Sequence, residues 1–149
     1  MAEEFKHVVR IAGHSCDGSK CLVDALSDIK GVNMRLAFAV ARLLDLDPFQ
    51  RLGYLSEKEI KRIEEVLRDP VGHGIPPYLV NRQKDPETGK YLHLIGSDVD
   101  LRMKFDIDLM KKLGTWKGVR HALGLKVRGQ KTRTTGRKGR TVGVQRRRK

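Results

Sequence analysis

The sequence predicts a mainly α-helical body with a small β-hairpin insertion, a long helix in its C-terminal half and an extended basic C-terminal tail. Three observations predict it. Apolar residues recur at helical spacing in successive stretches between Ser19 and Leu113. The intervening segment 71–96 forbids a helix: it holds Gly72, Gly74, Pro76 and Pro77, then a turn, Asp85-Pro86-Glu87-Thr88-Gly89, between two extended runs. Charge is segregated: the 149-residue chain carries a formal net charge of +13, and residues 117–149 contain no Asp or Glu while supplying the whole excess of Lys and Arg. The chain therefore divides into a helical core with a helical hairpin (1–70), an irregular segment with the β-hairpin (71–96), a long helix (97–116) and a basic tail (117–149).

Residues 7–11, His-Val-Val-Arg-Ile, read as a short strand or extended arm, with turn signals at 12–14 and 17–19. Ser19 is placed to cap a helix from 20 to about 28, with Leu22, Val23, Leu26 and Ile29 as its apolar stripe. Residues 30–33 form a tight break, after which Asn33 caps a second helix reaching 44 or 45. Met34, Ala37, Phe38, Ala41 and Leu44 share one of its faces. Asp47-Pro48 opens a short helical turn that Gly53 and Tyr54 end. Ser56 and Glu59 have capping-box spacing for a helix to about 68, with Ile60, Ile63, Val66 and Leu67 inward and Asp69-Pro70 as its stop.

Within the irregular segment, residues 77–85 and 91–95 pair as the expected hairpin. Ser97 caps a long helix over 98–113 whose Val99, Met103, Ile107, Met110 and Leu113 share a face. Acids crowd its first turns, and Lys111 and Lys112 its last, as the helix dipole favours. Gly114 ends it, and 116–123 make one short helix. The Trp116 indole either stacks on a base or packs on the long helix. Packing is the expectation, because Trp is largely buried on average.

With 33% charged and 5% aromatic residues and a pI near 10.1, the composition favours a nucleic-acid partner over an acidic protein substrate. No apolar run reaches the roughly 18 residues of a membrane helix. The opening Met-Ala-Glu-Glu-Phe has neither the charged nor the apolar region of a signal peptide, so a cytoplasmic protein without a membrane partner is expected. Cys16 and Cys21 have no second ligand pair downstream, so reduced thiols are expected and no metal site. His7, His14, His73, His93 and His121 lack metal-ligand spacing, and there is no phosphate-loop or dinucleotide glycine fingerprint. Ser15 and Ser19 have no evident His–acid constellation. Nothing asks for a cofactor or calls for an enzyme.

The tail has few large apolar residues and repels itself, so it cannot offset its own ordering entropy and needs a polyanion to order it. Fully extended it reaches roughly 110 Å. Arg grips phosphate with two parallel hydrogen bonds, and Lys supplies a point charge. Interleaved Gly allows close backbone approach, and Thr132, Thr134, Thr135 and Thr141 suit phosphate and 2′-hydroxyl contacts. A merely solvated tail would need neither at this spacing. The turn Lys30-Gly31-Val32-Asn33 presents backbone N–H groups at a helix N-terminus; it reads equally as a phosphate clamp or as an ordinary structural turn.

His121 followed by Gly124-Leu125-Lys126-Val127-Arg128-Gly129-Gln130-Lys131-Thr132-Arg133-Thr134 and Gly136-Arg137-Lys138-Gly139 resembles the C-terminal signature of the small-subunit ribosomal protein S thirteen family, called S eighteen in eukaryotes. Arg10-Ile11-Ala12-Gly13, the Lys20–Leu26 pattern and Leu55-Ser56-x-x-Glu59-Ile60 resemble the same family upstream, and the helices together look like its helix–two-turns–helix core. The family usually has Gly where this chain has Asn33. The Asn81-Arg82-Gln83-Lys84-Asp85 run and the hairpin resemble the insertion of archaeal and eukaryotic members.

The resemblance implies a structural constituent of the small-subunit head that binds ribosomal RNA. It also implies a tail reaching toward P-site transfer RNA, and a globular part touching a neighbouring head protein and helping to bridge to a large-subunit protein. The RNA-binding residues so implied are Lys30, Gly31, Val32, Asn33, Arg120, His121, Lys126, Arg128, Gly129, Gln130, Lys131, Arg133, Arg137, Lys138 and Arg140, with Arg146, Arg147, Arg148 and Lys149 nearest transfer RNA. Two other classes compete: a base-excision DNA-repair enzyme, which needs a catalytic domain this short chain lacks, and a DNA-compacting protein, which would not require the Gly-Leu-x-Val-Arg-Gly-Gln-x-Thr signature.

Overall fold

A computed structural model describes residues 5–135. The chain forms two compact units, one through Arg102 and one from Met103. It is mainly helical, with one small antiparallel hairpin.

The hairpin comes first. Strands β1 (Val8–Ile11) and β2 (His14–Asp17) pair with Val8 opposite Asp17 and Ile11 opposite His14. A two-residue turn joins them, with Ala12 at φ 49° and Gly13 at φ 80°, both in the left-handed region that the tightest hairpins require. Strand β2 is not foreshadowed by alternation, because only Cys16 of its four residues turns inward. The Ala12 N–H donates to the Glu64 carboxylate at 2.7 Å, which ties the turn to a helix far along the chain.

Helix α1 (Leu22–Ser27) begins two residues later than a Ser19 cap would start it. Ser19 instead closes a local turn: its N–H and hydroxyl both donate to the Asp17 carboxylate, at 2.9 and 2.8 Å. Leu22, Val23, Leu26 and Ile29 are buried as expected. Helix α2 (Met34–Leu43) has Asn33 at its N-cap, but the Asn33 side chain makes no capping bond. Its buried face is Leu36, Ala37, Val40 and Ala41, while Met34 and Phe38 lie exposed. The inward stripe is thus rotated toward Leu36 and Val40 relative to the sequence reading. Both stripes have helical spacing, and only the packing against α1 selects between them.

Helix α3 (Glu57–Arg68) starts as its sequence dictates. Ser56 accepts from the Glu59 N–H, and the Glu59 carboxylate accepts from the Ser56 N–H at 2.8 Å, so two orphan donors are satisfied reciprocally. Ile63, Val66 and Leu67 seal the core with Ile11, Leu26, Leu36 and Leu52.

Segment 71–96 takes a form different from the hairpin read there. Instead of two strands it has a single antiparallel bridge, Arg82 to Leu92. Side chains do the work of the missing ladder. Asn81 mimics a strand partner: its Oδ1 accepts from the Leu94 N–H at 2.9 Å, and its Nδ2 donates to the Leu94 carbonyl at 2.7 Å. The loop closes around the buried carboxylate of Asp85. Arg82 Nε donates to it at 2.6 Å, Arg102 Nη2 reaches both oxygens at 2.9 and 3.1 Å, and the Thr88 N–H and hydroxyl donate at 3.2 and 3.0 Å. Arg102 lies on helix α4 (Ser97–Lys112), so this ion cluster fastens the loop to the start of that helix. A buried carboxylate without such partners would be strongly unfavourable.

The Arg82 and Arg102 guanidiniums, with the Thr88 donors, hold the Asp85 carboxyl well below the usual carboxylate range. A depressed folded-state pKa contributes stability above the unfolded value of about 3.9, lost only as pH falls through the folded value. Hydrogen exchange at the Arg82 and Leu92 amides, corrected for intrinsic rates, should therefore stay protected as pH is lowered through the ordinary carboxylate range. In Asp85→Asn the same amides should exchange faster even at neutral pH. In the body, Ser56→Ala should cost about 1 kcal/mol in urea denaturation through loss of the α3 cap.

Candidate nucleic-acid interface

The basic arm begins on a compact helical corner. Helix α4 ends in a Gly114 left-handed cap: the Gly114 N–H donates to the Lys111 carbonyl at 3.1 Å and the Thr115 N–H to the Met110 carbonyl at 3.2 Å. Thr115 then caps helix α5 (Trp116–Ala122), its hydroxyl oxygen accepting from the Gly118 N–H at 3.1 Å. Gly118 is buried, and a Cβ there would collide with the Met110 carbonyl. Its missing side chain thus lets α5 lie against the end of α4, a role the sequence reading gave instead to approach toward an external surface. Helix α5 closes with the same motif, Leu125 N–H to the Arg120 carbonyl at 2.9 Å, and Gly124 at φ 66°.

Trp116 is 73% exposed, which overturns the expectation that it packs on the long helix. The Arg120 guanidinium carbon sits 5.7 Å from its ring centroid. The pair is spaced i, i+4 on one helix, so the signal was present in the sequence. Arg120 also braces the chain after α5, its Nε donating to the Lys126 carbonyl at 2.6 Å. An open groove of about 820 Å³ lies between the later turns of α4, α5 and the following segment. Met110, Leu125 and Val127 form apolar wall, Lys117, His121 and Lys126 supply nitrogen groups, and Asp106 contributes a carboxylate.

Arg128, Gly129, Gln130 and Lys131 continue outward, exposed. The Thr135 hydroxyl donates to the Lys131 carbonyl. Among the described residues, Arg120, Lys126, Arg128 and Lys131 make no ion pair, whereas several body cations do: Lys20 with Asp28, Lys30 with Asp100, and Arg82 and Arg102 with Asp85. Arg137, Lys138, Arg140 and Arg146, Arg147, Arg148 and Lys149 lie outside the described residues.

The second sequence-read element, residues 30–33, is partly occupied by the chain itself. Lys30 Nζ pairs with Asp100 at 2.6 Å. Gly31 takes φ +100°, and a Cβ there would collide with the Leu94 carbonyl. Val32 is buried. Asn33 is extended at φ −104°, so position 33 does not call for glycine here. What faces outward is the start of α2, whose first N–H groups lack partners within the helix.

The two cysteines are free: Cys16 is buried, and burial pushes its thiol pKa up, which favours an inert thiol. Among the described residues no cluster of His, Cys, Asp or Glu could hold a metal ion.

Comparison with known proteins matches residues 10–138 to the family model described as ribosomal protein S13/S18. The chain is 51% identical over 148 residues to the small ribosomal subunit protein uS13 of Staphylothermus marinus, covering 99% of this chain and 98% of that one. It is 53% identical over 146 residues to uS13 of Thermofilum pendens, covering 98% and 93%. With uS13 of Methanothermobacter thermautotrophicus it is 47% identical over the whole of both chains.

The geometry of the corner yields a direct test. Gly118→Ala should displace α5 from the end of α4, seen as loss of helical carbon chemical shifts over 116–122, while shifts of α1 to α3 stay unchanged.

Proposed function

Because the chain belongs to the ribosomal protein S13/S18 family, we propose that it is a structural constituent of the small ribosomal subunit head, held on ribosomal RNA by its basic arm. Its role is ribosomal rather than catalytic, and it acts in the cytoplasm as part of the ribosome. The observation that carries the reading is the set of arm cations without an ion-pair partner among the described residues. Arg120, Lys126, Arg128 and Lys131 make no ion pair among the described residues, in a stretch whose sequence contains no carboxylate. Such charge is neutralised by phosphate, and His121, Gly129, Gln130 and Arg133 stand in the same run to add hydrogen bonds.

Beyond it, Arg137, Lys138 and Arg140 extend the same RNA path, and Arg146, Arg147, Arg148 and Lys149 approach P-site transfer RNA. The turn Lys30-Gly31-Val32-Asn33 makes a secondary contact through the open N-terminus of α2 rather than through Lys30, which Asp100 already engages. The protein neighbours are a second head protein and a bridge protein of the large subunit. Leu101, Phe105 and Leu109, exposed at successive turns of α4, support an apolar protein contact.

If six arm cations meet phosphates, log K for small-subunit RNA should fall with log salt at a slope of roughly −4. Removal of residues 117–149 should abolish most of that slope while the body stays folded. An unchanged slope would refute the arm as the principal contact.

A further inference from the structure

The outer face of α2 carries a second surface whose chemistry the arm does not explain. Phe38 and Phe49 meet edge to face, with ring centroids 6.4 Å apart and planes at 72°. Both are exposed, Phe49 at 73%. An open groove of about 770 Å³ runs beside Phe38, walled on its far side by Pro76 and Tyr78, the latter 72% exposed. Arg35 and Arg42 line it from α2, and no carboxylate does. Neither arginine makes an ion pair among the described residues.

Single exposed apolar residues are ordinary, but two aromatic rings, Phe38 and Tyr78, lining one groove with two guanidiniums, and a third ring, Phe49, against Phe38, are a specific combination. Aromatic rings stack on any unpaired base, and arginine both binds phosphate and stacks. The Phe38 contact restrains Phe49 before any ligand arrives, which lowers the ordering cost of stacking on it.

We propose that this groove and the Phe49 ring beside its Phe38 wall hold a run of unpaired RNA nucleotides, with Phe49 and Tyr78 stacking on splayed bases and Arg35 and Arg42 on the flanking phosphates. The inference rests on the reading of the protein as an RNA binder but uses residues separate from the arm. A protein neighbour is the competing occupant, since aromatic residues and arginine also anchor protein interfaces. The groove lining, which holds two arginines and no carboxylate, favours the polyanion.

The test uses the full chain and a single-stranded oligouridine of about twelve nucleotides. Ultraviolet cross-links are mapped to peptides, and affinity is measured for the wild type and for Phe49→Ala with Tyr78→Ala. Both side chains are more than two-thirds exposed, and circular dichroism checks that the fold is retained. The expected result is cross-linking at Phe49 or Tyr78 and about tenfold weaker binding in the double variant, with an unchanged salt slope because no charge is removed. Arg35→Gln with Arg42→Gln should instead flatten the slope by roughly 1.4.

Cross-links confined to 117–149, with unchanged affinity in the aromatic double variant, would overturn the groove and leave the arm reading intact. Cross-links at the groove and none in the arm would uphold the groove and overturn the arm reading instead.

Discussion

Positive charge that the chain cannot neutralise within itself is the constraint on which the rest depends. In the body, several cations find carboxylates close by, down to the buried Asp85 that two arginines share. After Asp108 no acidic residue remains in the sequence, and the arm cations go without carboxylate neighbours in their own stretch. Unscreened like charges at this density oppose compaction. A polyanion reverses the sign of that term, because each phosphate neutralised releases a counterion. The body must therefore fold by apolar burial and internal ion pairs. The arm's charge calls for an external polyanion.

That division explains why the connection between them is built as it is. Asp85 fastens the 82–92 loop to Arg102 on α4, so the helix leading to the arm is anchored where it starts. At its far end, α4 turns through Gly114 into α5, and Gly118 permits the close approach that fixes the corner. Arg120 then spends part of its guanidinium on Trp116 and on the Lys126 carbonyl. These bonds give the root of the arm a defined direction before any partner binds, which reduces the ordering cost of binding.

The readable parts of the sequence were those where a local rule decides structure alone. The Ser56–Glu59 capping box, the Gly114 stop and the α1 stripe all follow from side chains within one turn of where they act. The misread parts depend on residues far away. Ser19 could cap a helix, but Asp17 takes its donors first. Phe38 has the spacing of a core residue, yet the packing of α2 turns Leu36 inward instead. Segment 78–95 reads as a hairpin, but Asn81 and Asp85 replace ladder bonds with side-chain bonds, and alternation does not encode those. Of the candidate site, the arm was legible because charge is a property of the sequence itself. The groove beside α2 was not, because Tyr78 and Phe38 meet across it only in the folded chain.

The most direct measurement is sedimentation of the affinity-tagged chain from an archaeal lysate through a sucrose gradient, with and without ribonuclease. The predicted result is co-migration with the small ribosomal subunit, lost on ribonuclease treatment. Migration with DNA, or with free protein in untreated lysate, would contradict a role set by binding to small-subunit RNA.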